Sequence, residues 1–565
     1  MRRRVGMTVF GAVGCLLISA GVAAADRCHT PLPGTRSLTL NGGVTGYGFS
    51  GDRVLVGWSR SAGCAGTVVW NYTSAEQTKA ATTCRRPSAG TQVVAADKLV
   101  ASDAQHAVRV VLAPASADAP DRLVVFDRST SRRVASWPLF ERPARVALEG
   151  DIAILSSAKR QALYALRITD GRIAQIGIAR AGDRPQIGPA GVLYQTDLDL
   201  KKHRTAPAER TLNLLPLASV QAELSRSYTT VHKYMSYSRP AASASTRPLQ
   251  PTNAPAMYTG ADPPRPFKTS AITAIAMDGP RVAMAVHDPS GRCDYVLFWN
   301  VGWHYVTRLT RATGPTCLPG HAAGGITNVA IAGSRAVWTV SYGGTTRVIA
   351  AAITDCQEWV VARPSVGMQR VTGLAGDGGV LAYALSPSRK AQRTLASVGI
   401  VPQFWRGIPI QQLPNGVVGL STFDGGVAAL GTQGKVSITT RGGKRTGQIE
   451  TGRSRAVALR RNLLAALTDR GTLDVYGRDS GRRLHSWPVP PKTNALDVQY
   501  GTALLTAGKD VYAMNLATGR TAHLFHAPTR VAAQIEAPGA AIQFNQAGRG
   551  YLRFLPMSRI EASTR

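Results

Sequence analysis

The sequence predicts an all-β repeat protein, on three observations. Short apolar runs of strand length alternate with Gly- or Asp-Gly-containing turns along most of the chain. Leu504–Phe525 shows this clearly, since three such runs are separated by two tight turns, and Gly519 can supply the positive φ that the second turn needs. No segment of useful length carries the apolar period of a helix. This alternation of apolar runs and turns repeats at intervals of roughly 40 residues, the length of a four-stranded repeat unit.

The first residues read as an export signal. Arg2-Arg3-Arg4 precedes an apolar run, Val5–Ala25, which ends in three alanines. A charged region, an apolar region and a small-residue exit predict a secretory signal peptide, residues 1–25, cleaved after Ala25. Two alternatives stay open, an uncleaved membrane anchor and lipid attachment at Cys15.

Cysteine usage agrees with export. Without the leader, the seven cysteines become six, an even number that predicts disulfides in a secreted chain but allows fifteen pairings. The six are Cys28, Cys64, Cys84, Cys293, Cys317 and Cys356.

The charge is strongly basic, with Lys+Arg 66 against Asp+Glu 33 and a formal net charge of +33. Such a balance favours an anionic partner, for example an acidic envelope polymer, an anionic membrane face or an acidic protein. The alternative is an arginine-biased composition spread evenly over a large surface.

Four repeat units precede a change in composition. We place them near residues 44–84, 92–139, 144–178 and 185–224. Ser225–Lys268 is then rich in Pro, Ser and Ala and has no apolar period, which predicts a linker over residues 227–268. Seven further units follow, near 270–311, 325–363, 370–413, 417–451, 455–489, 494–527 and 530–562.

An internal duplication divides the chain into two modules. Val44–Val54 aligns without a gap on Ile272–Val282, and Thr211–Ala222 aligns on Tyr551–Ala562. We therefore predict a first module over residues 26–226 and a second over 269–565.

Short antiparallel sheets leave unpaired edges and cannot bury both faces alone, whereas radial stacking covers the faces between neighbours. We accordingly predict two β-propeller modules, the first with about four to five blades and the second with about seven.

The duplication also suggests how the cysteines pair. Cys64 and Cys293 take matching positions, and each is followed by a second cysteine within its own first unit. This register predicts the disulfides Cys64–Cys84 and Cys293–Cys317, and it leaves Cys28 and Cys356 as a remaining pair.

Three segments carry a resemblance to a known family. They are VYAMNLATGR from Val511, RLVVFDRSTSRRVASW from Arg122 and TLDVYGRDSGRRLHSW from Thr472. They resemble the repeat of the quinoprotein-like (PQQ-like) and WD-type propellers. The resemblance implies a propeller fold and, by analogy with extracytoplasmic relatives, a binding or assembly platform. Quinoprotein enzymes commonly carry adjacent cysteines and an acidic calcium site, which this sequence lacks, so we predict no quinone cofactor.

Motifs for catalysis are missing from the sequence. It contains no G-x-S-x-G, no H-E-x-x-H, no phosphate-binding loop and no EF-hand spacing, and its ten histidines show no paired metal spacing. We predict no catalytic, cofactor or metal site.

The densest basic run, Arg441–Arg461, supplies candidate anion-binding residues. They would form one patch if the two turns that hold them emerged on the same rim, and they would be separate solvated turns if the rims were opposite. The candidates are Arg441, Lys444, Arg445, Arg453 and Arg455.

Together these features predict a secreted, non-catalytic β-propeller that binds an anionic envelope or extracellular partner or serves as a scaffold. The alternative on the same fold is a glycan hydrolase or lyase, which would need two carboxylates converging in a central pocket.

Overall fold

The computed structural model describes residues within 34–229 and 271–564, with gaps at several connecting segments. The predicted leader and nearly all of the predicted linker lie outside these residues. The described chain is all-β, as predicted, and consists of eleven antiparallel sheets and two short helices. Each of the eleven predicted repeat units contains one of these sheets.

Sheets 1–4 are formed by residues between 36 and 229. Sheet 1 contains β2–β5, sheet 2 contains β6–β9, sheet 3 contains β10–β13 with β17, and sheet 4 contains β14–β16 with β1. The elements are β1 (Arg36–Leu40), β2 (Gly43–Ser50), β3 (Arg53–Ser59), β4 (Ala65–Asn71), β5 (Gln77–Thr83), β6 (Val100–Ser102), β7 (His106–Val111), β8 (Arg122–Asp127), β9 (Arg133–Pro138), β10 (Arg145–Glu149), β11 (Ile152–Ser157), β12 (Ala162–Arg167), β13 (Arg172–Ile178), β14 (Gln186–Gly188), β15 (Gly191–Asp197), β16 (Arg210–Pro216), α1 (Leu217–Arg226) and β17 (Tyr228–Thr229).

Sheets 5–11 follow the linker. Sheets 5–10 each contain four consecutive strands, from β18–β21 to β38–β41, and sheet 11 contains β42–β44. The elements are β18 (Ile272–Asp278), β19 (Arg281–Val286), β20 (Tyr295–Asn300), β21 (Thr307–Arg308), β22 (Gly325–Ala332), β23 (Arg335–Tyr342), β24 (Thr345–Ala352), β25 (Glu358–Ala362), β26 (Gln369–Gly376), β27 (Val380–Pro387), β28 (Ala396–Pro402), β29 (Ile410–Leu413), β30 (Val417–Phe423), β31 (Gly426–Gly431), β32 (Lys435–Thr440), β33 (Arg445–Glu450), β34 (Ser454–Leu459), β35 (Leu463–Thr468), β36 (Thr472–Gly477), β37 (Arg483–Pro488), β38 (Ala495–Gln499), β39 (Thr502–Ala507), β40 (Asp510–Asn515), β41 (Thr521–His526), β42 (Val531–Glu536), β43 (Gly539–Gln546), β44 (Arg549–Pro556) and α2 (Met557–Thr564).

Apolar side chains between neighbouring sheets form the core. One buried cluster joins sheet 5 both to sheet 6 and to sheet 11, and it includes the fully buried Trp299 and Trp338. The rings of Trp299 and Phe554, from sheets 5 and 11, meet edge to face at 6.2 Å. The first strand of each sheet from 5 to 11 neighbours the first strand of the next, and β42 neighbours β18 again. The seven sheets are thus arranged like the blades of a propeller.

We call sheets 1–4 the first set and sheets 5–11 the second set. Pairing between strands far apart in sequence completes two sheets of the first set. The first described strand, β1, pairs along its whole length with β16, so residues 36–40 finish a sheet built from residues 186–216. Tyr228 and Thr229 pair with β13, which places the first residues of the predicted linker in sheet 3.

Two short helices accompany the strands, in segments where the sequence showed no apolar helix period of useful length. Each follows a strand without a break, α1 after β16 and α2 after β44. Each helix begins within one of the two segments that the duplication aligned, Thr211–Ala222 and Tyr551–Ala562. A helix of eight to ten residues carries too few apolar repeats to stand out in the sequence.

A tryptophan stacked on a glycine turn links neighbouring sheets at two places. The Trp487 indole N–H of sheet 9 donates to the Leu516 carbonyl of sheet 10 at 2.9 Å, and the ring lies against Gly519. Trp137 of sheet 2 makes the same contacts with Ile168 and Gly171 of sheet 3, with a hydrogen bond of 2.8 Å. Two features require glycine at position 519. Its φ of +71° is unfavourable for other residues, and an added Cβ would lie 2.4 Å from the Trp487 indole.

We expect Gly519→Ala to lower the free energy of unfolding by about 2–4 kcal/mol, because left-handed backbone strain adds to displacement of the Trp487 ring. Gly508→Ala is the matched control, since Gly508 also has positive φ but has nothing within 4 Å of an added Cβ. It should cost only about 1–2 kcal/mol. Urea unfolding midpoints measure both, and equal losses would show that the indole contact contributes nothing.

Candidate functional site

A central channel runs between sheets 5–11. We call β18, β22, β26, β30, β34, β38 and β42 the inner strands, because residues from all seven line it. The channel has a volume of about 760 Å³. Neighbouring strands within each sheet are antiparallel, so the turns and connections alternate between the two ends of the channel. We call the end at which the inner strands begin the mouth.

Side chains connect adjacent inner strands at three places. Ser421 Oγ accepts the Leu459 amide at 2.9 Å, Asp497 Oδ2 accepts the Ile535 amide at 2.9 Å, and Gln534 Oε1 accepts the Met277 amide at 2.6 Å. An inner strand has an edge with no ladder partner, so its buried amides need such acceptors. These contacts hold the channel wall together.

Three charged side chains converge on the channel. Arg460 donates to Asp497 Oδ1 at 2.9 Å, and the same guanidinium nitrogen lies 4.0 Å from Glu536 Oε1. Arg460 is buried, and its other terminal nitrogen donates to the Leu459 carbonyl at 2.8 Å. Asp497 also accepts the Val498 amide at 2.8 Å. Both oxygens of Asp497 are therefore already engaged, whereas Glu536 faces the channel without such a set of donors.

Burial dominates the ionisation of Glu536. It raises the pKa of this carboxyl to about 8, and Arg460 offsets only part of the effect. Asp278 raises the pKa further, as does Asp497, while Arg160 lowers it. Near pH 7 Glu536 is then mostly protonated, although 21% of its side chain stays exposed.

Sheets 1–4 contact the end of the channel opposite the mouth. Arg160 of the first set donates to Asp278 at 2.9 and 2.6 Å, and Asp278 also pairs with Arg281. All three are buried. Burial would raise the pKa of Asp278, but Arg160 and Arg281 outweigh it and hold the pKa below its ordinary value. Ser334 donates to Gln161 at 2.7 Å, and Asn300 donates to Gln175 at 3.1 Å, which extends this contact between the two sets.

The mouth is lined by exposed polar and basic groups. Asn494, Ala495 and Arg530 line the channel and are exposed. Other exposed basic residues occupy the turns and connections at this end of sheets 8–11. We define the mouth set as Arg453, Arg470, Lys509 and Arg530.

The predicted basic patch is divided by β33. Lys444 and Arg445 lie where β33 begins, at the end opposite the mouth, and Arg453 lies beyond its last residue, at the mouth. Arg455 is exposed near the mouth and donates to the Thr468 carbonyl at 3.1 Å. Arg441 lies outside the described residues. The structure does not bring the two groups together, and anion binding by either group stays a prediction.

One predicted disulfide is confirmed. Cys293 and Cys317 are joined, with Cα atoms 5.5 Å apart, and tie the start of β20 to a connection of sheet 5. Cys28, Cys64, Cys84 and Cys356 lie outside the described residues, so the other two pairings stay predictions. Among the described helices, neither is long and apolar enough to cross a bilayer.

Sequence reasoning missed Arg460 and Glu536, as well as a group formed by Asp510, His523 and His526. A signal for the first two was present. Both stand at the ends of first strands in their units, 76 residues and two units apart, where other units also carry charged residues such as Asp278. The histidines gave no such signal, because a spacing of three residues places side chains on opposite faces of a regular strand.

Comparison with known proteins identifies no family. No protein-family model and no curated protein matches the chain. Among solved structures, it is similar to the nidogen/laminin complex, with 14% identity, a TM-score of 0.29, and coverage of 39% of this chain and 81% of that one. It is also similar to the computationally designed Ika8 protein, with 13% identity, a TM-score of 0.36, and coverage of 52% and 99% respectively. These likenesses are too weak to carry an argument about function.

Glu536 predicts a specific dependence of stability on pH. The folded protein keeps this proton up to about pH 8, whereas an unfolded chain releases it near 4.5. The contribution of protonated Glu536 to the free energy of unfolding is therefore fully present below about pH 4.5 and is lost as the pH rises through 8. The side chain of the Glu536→Gln variant stays uncharged at all pH values. We therefore expect its unfolding midpoint to decrease less between pH 5 and 9 than the midpoint of the wild type does. The control is Glu450→Gln, whose parent side chain is 74% exposed. Parallel wild-type and Glu536→Gln profiles would contradict the assignment.

Proposed function

We propose that the chain is an extracytoplasmic binding protein built from two β-propeller modules, with four blades in sheets 1–4 and seven in sheets 5–11. The seven-sheet ring is supported by the return of β42 to β18 and by the core that joins sheets 5, 6 and 11. The smaller ring is supported by β1 completing sheet 4. The described Cys293–Cys317 disulfide is compatible with export, since such bonds persist in oxidising compartments. The leader, the linker and the quinoprotein-like repeat type stay predictions.

The ligand that fits best is an anionic polymer segment taken at the mouth of the channel. The single observation that carries this proposal is a channel of about 760 Å³ with one inner strand from each of seven sheets in its wall. Channels at the axis of repeated sheets are concave sites with converging polar groups, as ligand sites are. Within it the charge of Arg460 is balanced by Asp497 and Glu536 is largely neutral near pH 7, so these groups add little net charge, and the mouth set adds basic groups outside.

The alternative, a glycan hydrolase or lyase, rests on the presence of Asp497 and Glu536 in the same channel. Both lie within 4.0 Å of one Arg460 nitrogen, and the raised pKa of Glu536 suits a general acid. Asp497, however, already accepts two backbone amides and Arg460. Its oxygens are committed to the channel wall, so a binding role is favoured over two-carboxylate chemistry.

A charge-matched pair of variants tests the proposal. We expect replacement of the mouth set by glutamine to weaken binding of polyglutamate and dextran sulfate roughly tenfold or more at low salt, because basic groups around a cleft concentrate anions. Binding is measured by fluorescence anisotropy or calorimetry over a series of salt concentrations, and the loss should shrink as salt screens the charges.

The control removes the same number of exposed basic residues from turns at the other end of sheets 8–10. This opposite set is Lys444, Arg445, Arg482 and Arg520. Its replacement should leave binding nearly intact. Equal losses from both sets would indicate attraction by net charge alone, and retention of binding by the mouth-set variant would contradict a site at the mouth.

A further inference from the structure

Three potential metal ligands meet at the mouth end of sheet 10. Asp510 begins β40, and His523 and His526 lie in the paired strand β41. Asp510 Oδ1 lies 3.0 Å from His523 Nε2 and 2.7 Å from His526 Nδ1. The three ligand atoms all lie within 4.8 Å of one another. None of these residues belongs to the channel.

A β-bulge brings the two histidines to the same face. In a regular strand, residues three apart point in opposite directions. Here Asp510 is opposite His526, Val511 is opposite Phe525, and Tyr512 is opposite His523, so the register passes over Leu524. Because of this extra residue, His523 and His526 project to the same face of the sheet, which is also the face of Asp510.

Packing on both sides fixes this arrangement. Leu524 is buried in the core beside α2, which anchors the bulge from below. The Tyr512 ring packs against His523 with centroids 5.0 Å apart. The side chains of His523, Asp510 and His526 are 18%, 30% and 62% exposed. The site is thus held firmly on one side and is open to solvent on the other.

We propose that Asp510, His523 and His526 form a binding site for a divalent transition-metal ion of the Zn²⁺ type. Imidazole nitrogens and a carboxylate oxygen are ligands that Zn²⁺ accepts at about 2.0–2.2 Å. The metal takes the place of the two hydrogen bonds that Asp510 accepts, with small movements of the three side chains. Three protein ligands leave a fourth tetrahedral position on the exposed side for water or an anionic group.

The preceding sheet offers a natural comparison. In sheet 9 the residue that begins the third strand is Thr472, and it is opposite the last residue of the fourth strand, Pro488. His485 stands three residues before Pro488, as His523 does before His526. His485, however, lies opposite Val475, before the register shift of sheet 9, so it faces away from the side that Thr472 and Pro488 share. Sheet 9 thus carries a histidine at the same sequence spacing without the arrangement of sheet 10.

The test is isothermal titration calorimetry of the full chain with ZnCl₂ after removal of metals by a chelator. We expect one Zn²⁺ ion to be lost from the stoichiometry, or its affinity to fall more than tenfold, in both His526→Gln and Asp510→Asn. His485→Gln is the matched control and should bind as the wild type does.

Circular dichroism before titration checks that each variant is folded, which is expected because His526 is largely exposed and Asp510→Asn keeps the shape of the side chain. Wild-type protein that takes up no Zn²⁺ would overturn the proposal. So would folded His526→Gln and Asp510→Asn variants that bind Zn²⁺ with unchanged affinity and stoichiometry. The outcome is independent of polymer binding, since neither variant changes the mouth set.

Discussion

A four-stranded sheet of short strands has two apolar faces and cannot cover either by itself. In this protein each sheet is covered by its neighbours. Sheet 5 shows the consequence, because its residues pack on one side against sheet 6 and on the other against Phe554 of sheet 11, more than 250 residues further along the chain. Once every face must be covered in this way, the first strands come together around an axis. The channel is therefore a product of face burial, and its polar lining follows from the amides that the inner edges leave to be satisfied.

The sheets could be predicted from the sequence because the pattern of strands and turns that forms them is local and repeated. Apolar runs with glycine turns indicated all eleven sheets. The sequence indicated the fourth strand of each sheet poorly, because these strands are outermost and polar. An example is Arg445–Glu450, which is mostly exposed and has no apolar period. The sequence missed α1 and α2 because they are short. It also gave no sign that residues 36–40 would pair with residues 210–214, because pairing across such a separation depends on how the ring closes and not on local pattern.

The candidate sites were less predictable than the fold, for a geometric reason. Arg460, Asp497 and Glu536 are separated by whole repeat units, and only the circular arrangement places them around one guanidinium group. The basic run shows the opposite case, because Lys444 and Arg453 are close in sequence but lie at the two ends of one strand. The histidine pair depended on a single bulge at Leu524. The decisive information was the circular arrangement in the first case, strand direction in the second and register in the third, and residue types and spacing indicate none of these.

The two ends of the seven-sheet channel have different freedom to vary. At the end contacted by sheets 1–4, Arg160, Asp278 and Arg281 are buried as one ionic group. Glu141 lies 3.2 Å from Arg160 and balances the charge of this group, so loss of any one member leaves an uncompensated buried charge, which costs about 3–5 kcal/mol. At the mouth, the turns are exposed and their side chains can change at little cost to stability. Recognition can therefore develop at the mouth, where Arg530 and the histidine group stand, while the buried end keeps the two sets of sheets together.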